Sequence, residues 1–226
     1  MKLRHTWRFL HAERGVPSGW AALNAYVQVT ARLYRAIADV TGARVLVDSS
    51  KRPARAALLH LLPGVEAYFL HLVRDPRAVA YSWQRRSAQP DSGERAELIP
   101  HGPVDSTIHW LARNIAAEGV RRHAAEGHSL LLRYEDLVSQ PRKALGEIVA
   151  MVGEKDIPLP LVDGDKAVRL RPNHTVSGNP SRFATGVVKL RCDEEWVARI
   201  DDKDQLLATL VAAPLLHRYR YSAIVK

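Results

Sequence analysis

Apolar positions along the chain first recur at helical spacing and then gather into short continuous runs. Between residues 18 and 41, mostly apolar side chains stand three or four positions apart, at Leu23, Tyr26, Val27, Thr30, Leu33, Tyr34, Ile37 and Val40. That spacing predicts an amphipathic helix, and Gly42 suits the left-handed residue that often follows one. Short apolar runs at 45–47, 68–73 and 130–132 predict buried strands of a parallel sheet.

Helices are predicted between and after these strands, from the same spacing and from residues that suit helix starts. They begin at Pro53, at Pro76, near Val104, at Pro141 and near Asp202. Alternating strands and helices imply a sheet covered by helices, so the predicted fold class is α/β, a three-layer sandwich with a mainly parallel sheet. We expect a long loop at 87–103 and an irregular segment at 153–192.

The composition is that of a globular protein, with 46% hydrophobic and 25% charged residues among 226, and we expect one domain over 1–226. We find neither 18 consecutive apolar residues nor a secretory leader, so we expect a cytoplasmic protein without membrane contact. The single cysteine, Cys192, excludes an internal disulfide framework. The ten histidines lack the spacing of metal ligands, and we expect no metal.

The formal charge of +9 favours an anionic ligand. The basic residues are scattered and many stand beside acids, which argues against a nucleic-acid surface. Ligands of parallel sheets bind at the carboxyl ends of the strands. The polar residues predicted at those ends are Ser49, Ser50 and Lys51, then Arg74, then Arg133 with Glu135.

The sharpest candidate for an anion site is Arg74, which a predicted strand delivers to the start of a helix. Asp75 suits the N-cap and Pro76 the first helical position. A helix N-terminus favours anions, and the arginine fork adds bidentate phosphate recognition. Ser82 shares a helix face with the small Ala78, which would leave room for a ligand. The alternative is that Arg74 pairs with a carboxylate and Ser82 is an ordinary surface residue.

At this point the sequence resembles sulfotransferases that use 3′-phosphoadenosine-5′-phosphosulfate (PAPS) as donor. Arg-Asp-Pro-Arg at 74–77, followed by Ser82, is similar to the family's 3′-phosphate-binding element. Residues 47–53 are similar to its preceding strand-to-helix turn, and 133–137 to its later Arg-Tyr-Glu-Asp-Leu turn. Residues 173–183 are similar to a segment of its bacterial branch. The resemblance runs from about residue 31 to about residue 221, and it implies a P-loop NTPase-like fold.

The resemblance also implies roles for individual residues. Arg74 and Ser82 would bind the 3′-phosphate of the nucleotide, and Lys51 would reach the transferred group. Arg182 and the turn at Gly178 and Asn179 would close over the nucleotide. Ser177 is a weaker candidate for contacting the phosphosulfate.

The chemistry of sulfuryl transfer supports Lys51 independently. The reaction should resemble phosphoryl transfer, in which positioning and electrostatics dominate. A cation aimed at the bridging oxygen of the leaving phosphate stabilises the transition state more than the ground state. The alternative is a solvated lysine at a helix start. The acceptor needs a general base, and the candidates are Asp48, His71, His101 and His174. Of these, His71 is better explained as a satisfied core residue.

The chain also departs from the family pattern. A sulfotransferase normally begins with a strand and a Gly/Ser-rich loop that wraps the 5′-phosphosulfate with backbone N–H groups. Only residues 15–19 are remotely similar, and Pro17 there removes a donor. We therefore expect a domain that lacks this strand and loop, leaving an apolar slot. We also expect the chain as given to bind the desulfated nucleotide but to transfer sulfate at a rate barely above background.

The leading hypothesis is a sulfotransferase that uses PAPS and a hydroxyl or amine acceptor on a small molecule or glycan. One alternative is a non-catalytic module that binds only the 3′-phosphoadenosine end. A nucleoside or sugar kinase is less well supported, because a phosphate loop with Lys-Ser/Thr and a magnesium-binding Asp are missing. The identity of the acceptor and the oligomeric state stay open.

Overall fold

A computed structural model describes residues 2–12, 20–84, 102–154, 156–172 and 183–223. The chain divides into two compact units. The first contains Met1–His71, Ala112–Leu131 and Ala150–Glu154, and the second contains Leu72–Leu111, Leu132–Val149 and Lys155–Lys226. The single domain over 1–226 stays a prediction, and each unit is described by itself.

The helices and strands follow one another along the chain in a mixed α/β order. The helices are α1 (His5–Leu10), α2 (Ala21–Thr41), α3 (Pro53–Leu59), α4 (Pro76–Gln84), α5 (Pro103–His123), α6 (Tyr134–Ser139), α7 (Pro141–Met151), α8 (Glu195–Arg199) and α9 (Asp202–Leu216). The strands are β1 (Phe69–Val73), β2 (Ser129–Arg133), β3 (Leu161–Val162), β4 (Ala167–Leu170) and β5 (Gly186–Lys189).

The helices predicted from apolar spacing are present as α2, α3, α4, α5, α7 and α9. Gly42 follows α2 with a φ of +66°, which is the left-handed conformation that glycine adopts without steric cost. The short helices α1, α6 and α8 were not predicted. They have five or six residues each, too few for a periodic pattern.

Two of the three predicted strands form a small parallel sheet, β1 beside β2. The amide of Phe69 donates to the carbonyl of His128 over 2.8 Å where the two strands begin. The predicted strand at 45–47 is wrong, since that segment has no regular structure and Val47 is 88% exposed. An apolar run becomes a strand only if a neighbouring strand hydrogen-bonds to it, and no described strand does so here.

The expectation of an irregular segment at 153–192 is also wrong for its described part. Strands β3, β4 and β5 form an antiparallel sheet, with Leu161 opposite Val168 and Val168 opposite Val188. Asp163, Gly164 and Asp165 all have positive φ in the turn between β3 and β4. Among the described residues, parallel strand pairing is therefore found only between β1 and β2, so the predicted mainly parallel sheet is only partly present.

The core of the first unit joins α1, α2 and α3. Phe9, Val27, Ala57 and Leu58 are each at most 2% exposed within one apolar cluster. The other face of α2 carries four exposed apolar side chains at helical spacing, namely Val29, Leu33, Ile37 and Val40. Val29 is 63% and Val40 86% exposed.

The second unit packs α4 against α8 and α9. Ala78 of α4 is buried in a cluster with Trp196 and Ile200, and Tyr81 packs on this cluster. Among the described helices, none is both long and apolar enough to cross a membrane.

Candidate functional site

Arg74, directly after β1 in the second unit, is held by three neighbours. Its Nη2 atom donates to Oδ2 of Asp193 over 2.8 Å, and its guanidinium lies 4.9 Å from the centroid of the Tyr134 ring. The indole N–H of Trp110 donates to its backbone carbonyl over 3.0 Å. The Arg74 side chain stays 25% exposed. The carboxylate pairing considered in the sequence analysis is therefore present, and solvent still reaches the cation.

The start of α4 is fixed by a buried ion pair. Oδ1 of Asp75 accepts the backbone N–H of Arg77 over 2.9 Å, which is the N-cap hydrogen bond predicted from the sequence. The guanidinium of Arg77 also donates to both Asp75 oxygens, from Nε over 2.9 Å and from Nη2 over 2.7 Å. Its other face lies 5.2 Å from the centroid of the Trp196 ring. The N-cap hydrogen bond, the ion pair and the Trp196 ring together hold the start of α4, directly after Arg74.

Glu135 connects β2 to the start of α4. Its Oε1 accepts the backbone N–H of Asp75 over 3.0 Å, and its Oε2 accepts the Tyr221 hydroxyl over 2.8 Å. The guanidinium of Arg133 lies 4.4 Å from the Tyr221 ring centroid. Burial, followed by the Glu135 carboxylate, raises the pKa of Tyr221 far above its usual value, so this hydroxyl stays a donor. The polar residues after the two parallel strands are therefore joined within the second unit.

Ser82 lies one helical turn beyond Ala78 on α4 and is half-buried. The room that the small Ala78 was expected to leave is filled, because Trp196 and Ile200 pack there. Within the described residues no hydrogen bond involves the Ser82 hydroxyl. Its role as a phosphate ligand stays a prediction.

Lys51 lies in the first unit, in the turn that precedes α3. Its φ is +57°, so a non-glycine residue adopts the left-handed conformation. That conformation is costly for most side chains, and residues held in it concentrate at functional sites. The side chain is exposed, and in the described parts of the chain its ammonium group has neither an ion-pair partner nor a hydrogen bond.

Asp48 lies three residues before Lys51, and both of its carboxylate oxygens accept hydrogen bonds. Oδ2 accepts from the Tyr34 hydroxyl and, over 3.2 Å, from Nε of Arg55. Oδ1 accepts the backbone N–H of Ser50 over 2.9 Å. Burial would raise the pKa of Asp48, but these hydrogen bonds outweigh it and hold the pKa below its usual value.

His71, another candidate base, is a buried core residue, as the sequence analysis favoured. It is buried on β1, and its Nε2 lies 2.8 Å from Oδ1 of Asn114. Burial lowers the pKa of His71, so the ring is neutral at pH 7. Five further candidates lie outside the described residues: His101, His174, Ser177, Gly178 and Arg182. Residues 15–19, compared above with a phosphate loop, lie outside them as well.

The structure adds residues that the sequence analysis missed. Asp193 and Tyr134 contact Arg74, Trp110 binds its carbonyl, and Tyr34 and Arg55 hold Asp48. Tyr134 stood inside a recognised motif, but Asp193 lies 119 positions from Arg74 with no local signal. A search of the described residues finds no group of His, Cys, Asp and Glu side chains arranged to hold a metal ion.

A comparison with protein families gives one match. A model described as the sulfotransferase family matches residues 4–158, which is more than half of the chain. No curated protein and no solved structure matches.

Proposed function

The chain belongs to the sulfotransferase family, and on that premise we propose that it takes a sulfuryl group from PAPS. The acceptor is a hydroxyl or amine group on a small molecule or glycan. The observation that carries the proposal is the position of Arg74 in a chain of this family. Its cation follows a parallel strand and directly precedes the capped start of α4. Such a place favours a phosphate group.

We assign the 3′-phosphate of the donor to Arg74, with Ser82 as a second ligand. The Tyr134 ring supports one face of the guanidinium, which limits the rotamers that the arginine must lose on binding. The carboxylate of Asp193 already contacts Nη2, so an incoming phosphate has to share the guanidinium with it or displace it. We also propose that Ser177, Gly178 and Arg182 contact the nucleotide.

We assign the transferred group to Lys51. In the transfer, the acceptor oxygen or nitrogen bonds to sulfur while the bond from sulfur to the 5′-phosphate oxygen breaks, and the acceptor proton passes to a base. Negative charge then grows on the leaving phosphate, where an ammonium group is most effective. The exposed ammonium of Lys51, without an ion-pair partner among the described residues, is available for that task. Of the candidate bases, His174 is the one that we propose for this step.

The first experiment tests nucleotide binding. Adenosine 3′,5′-bisphosphate is titrated calorimetrically into the wild type, into Arg74→Ala and into Arg142→Ala as the control. Arg142 forms an exposed ion pair with Asp165 in the same unit and has no proposed role. Arg74→Ala should weaken binding by about 1.5–3 kcal/mol, the scale of hydrogen bonds to a charged group. Equal affinities in all three proteins would remove Arg74 from the site.

The second experiment separates an enzyme from a binding module. Labelled sulfate is followed from PAPS into a mixed pool of hydroxyl and amine acceptors, with Lys51→Ala as the inactive reference. For this chain we expect turnover barely above background. A phosphosulfate loop supplies several backbone N–H donors, and removing one such donor from a preorganised site lowers the rate by about 10²–10³. Robust turnover that Lys51→Ala abolishes would support the transferase and refute the prediction of weak activity.

A further inference from the structure

Four side chains of the first unit form one hydrogen-bonded group beside the turn that carries Lys51. We call the group the Asp48 cluster, and its members are Tyr26, Tyr34, Asp48 and Arg55. They come from three places in the chain. The two tyrosines lie on α2, Asp48 lies in the segment after it, and Arg55 lies in the first turn of α3.

Arg55 is the centre of the cluster. Its Nε donates to Oδ2 of Asp48 over 3.2 Å, its Nη2 donates to the Tyr34 hydroxyl over 3.2 Å, and its Nη1 donates to the Tyr26 hydroxyl. The guanidinium also lies 5.5 Å and 5.8 Å from the centroids of the Tyr26 and Tyr34 rings. With all three nitrogens engaged, Arg55 connects α2 to α3.

Asp48 connects this group to the turn. One oxygen accepts from Tyr34 and Arg55, and the other accepts the backbone N–H of Ser50. Beyond Ser50, the next backbone hydrogen bonds belong to the start of α3, where Arg55 and Ala56 donate to the Arg52 carbonyl over 2.8 Å and 3.0 Å. Lys51 lies between these two anchors, and its left-handed φ has to be maintained by them.

We propose that Asp48, Tyr34 and Arg55 are positioning residues that hold the Lys51 turn, and that Asp48 is not the base that deprotonates the acceptor. The proposal rests on the proposed function for the task of Lys51. Three donors already converge on the Asp48 carboxylate, so at most one of its roughly four acceptor sites is left for an acceptor hydroxyl. A carboxylate stabilised in this way is also a weak base, in line with its lowered pKa.

The test uses two variants of the full chain and one control. Tyr34→Phe removes one donor to Asp48 and keeps the ring, and Asp48→Asn keeps the shape and removes the charge. Tyr68→Phe is the control, because Tyr68 stacks on His128 in the same unit and has no contact with the cluster.

The first readout is hydrogen exchange of the backbone amides in residues 49–52. We expect both variants to accelerate it by roughly tenfold, the change that the loss of one intramolecular hydrogen bond supports, with no change in Tyr68→Phe. Unchanged exchange in Tyr34→Phe would overturn the proposal, even if Asp48→Asn failed to fold. This readout needs no sulfate transfer, so it decides about the cluster even if the proposed function is wrong.

The second readout is the kinetics of sulfate transfer. A positioning role predicts that Tyr34→Phe lowers kcat by roughly tenfold, leaves the KM for PAPS nearly unchanged and does not move the acidic limb of the pH profile. If Asp48 were the base, weakening its hydrogen bonds would shift that limb to higher pH. Such a shift, or an Asp48→Asn variant in which the limb has disappeared, would overturn the proposal.

Discussion

Nη2 of Arg74 donates a hydrogen bond to Oδ2 of Asp193 over 2.8 Å. The cation to which we assign a phosphate therefore already faces a carboxylate of its own chain. Asp193 also accepts the backbone N–H of Glu195 through its other oxygen over 3.4 Å, so it is tied to the start of α8. Any anion that binds Arg74 is in competition with this side chain.

The first prediction follows from that competition. Asp193→Asn should strengthen the binding of adenosine 3′,5′-bisphosphate about two- to fivefold, the range that an ion pair still open to solvent supports. Asparagine still accepts the Glu195 N–H, and the gain should shrink as salt is added. Asp201→Asn, at the N-cap of α9 in the same unit, is the control for calorimetric titration. Weaker binding by Asp193→Asn would show instead that Asp193 orients the guanidinium.

A second prediction concerns the buried pair of Asp75 and Arg77, whose side chains are 9% and 3% exposed. Asp75→Asn should lower the free energy of unfolding by about 3–5 kcal/mol, because the Arg77 charge would stay buried without its partner. Urea denaturation measures the change. The exposed ion pair between Arg142 and Asp165 is the control, and Asp165→Asn should leave the urea midpoint almost unchanged. Similar effects of the two substitutions would show that solvent reaches Arg77 in the folded protein.

The third prediction isolates the backbone cost at Lys51. Lys51→Gly and Lys51→Ala both remove the ammonium group, but only glycine adopts a φ of +57° without steric cost. The glycine variant should be more stable than the alanine variant by about 1 kcal/mol in urea unfolding. Both should lose sulfate transfer. An alanine variant that equals the glycine variant in stability would show that the left-handed conformation is not held in solution.

A fourth prediction compares two glycines in helices. A Cβ at Gly146 of α7 would meet nothing within 4 Å, so Gly146→Ala should raise stability by about 1 kcal/mol through helix propensity. A Cβ at Gly119 of α5 would lie 2.8 Å from the Trp7 ring, which would have to move. Gly119→Ala should therefore gain less stability or lose some. A gain as large as that of Gly146→Ala in thermal unfolding would show that Trp7 yields at no cost.

The fifth prediction uses the acidity of Asp48. Its folded-state pKa is depressed, so its contribution to stability is fully present above its unfolded-state pKa of about 4 and is lost as pH falls through the lower folded-state value. The stability difference between wild type and Asp48→Asn should therefore be larger at pH 7 than at pH 2. A difference that is constant over this range would show that the charge of Asp48 does not matter.

Local chemistry was enough to predict the features that depend on near neighbours. The Asp75 cap, the proline starts of α3, α4 and α7, and Gly42 after α2 all follow from residues within one helical turn. Features that depend on distant partners were missed. Neither the strand assignment at 45–47 nor the carboxylate beside Arg74 is decided by local sequence. A strand needs a neighbour, and Asp193 belongs to a segment far along the chain.

Two features of the structure have a local signal in the sequence. Asp163, Gly164 and Asp165 stand between an apolar pair and an alternating segment, which is typical of a hairpin, yet the prolines nearby favoured an irregular segment. Asp48 stands two residues before Ser50, a spacing at which an Asp carboxylate commonly accepts a backbone N–H, and that local hydrogen bond is present. Its partners Tyr34 and Arg55 are 14 and 7 residues away, and only the packing of α2 and α3 brings them together.

The salt bridge at the start of α4 restricts how this part of the sequence can change over generations. Replacing Asp75 alone leaves Arg77 as a buried orphan charge, and replacing Arg77 alone leaves Asp75 in the same condition. Either single step leaves a buried charge uncompensated, whereas a joint replacement by two apolar residues removes both charges and loses only the cap hydrogen bond. Each of the two positions therefore constrains the other, whether or not Arg74 binds a ligand.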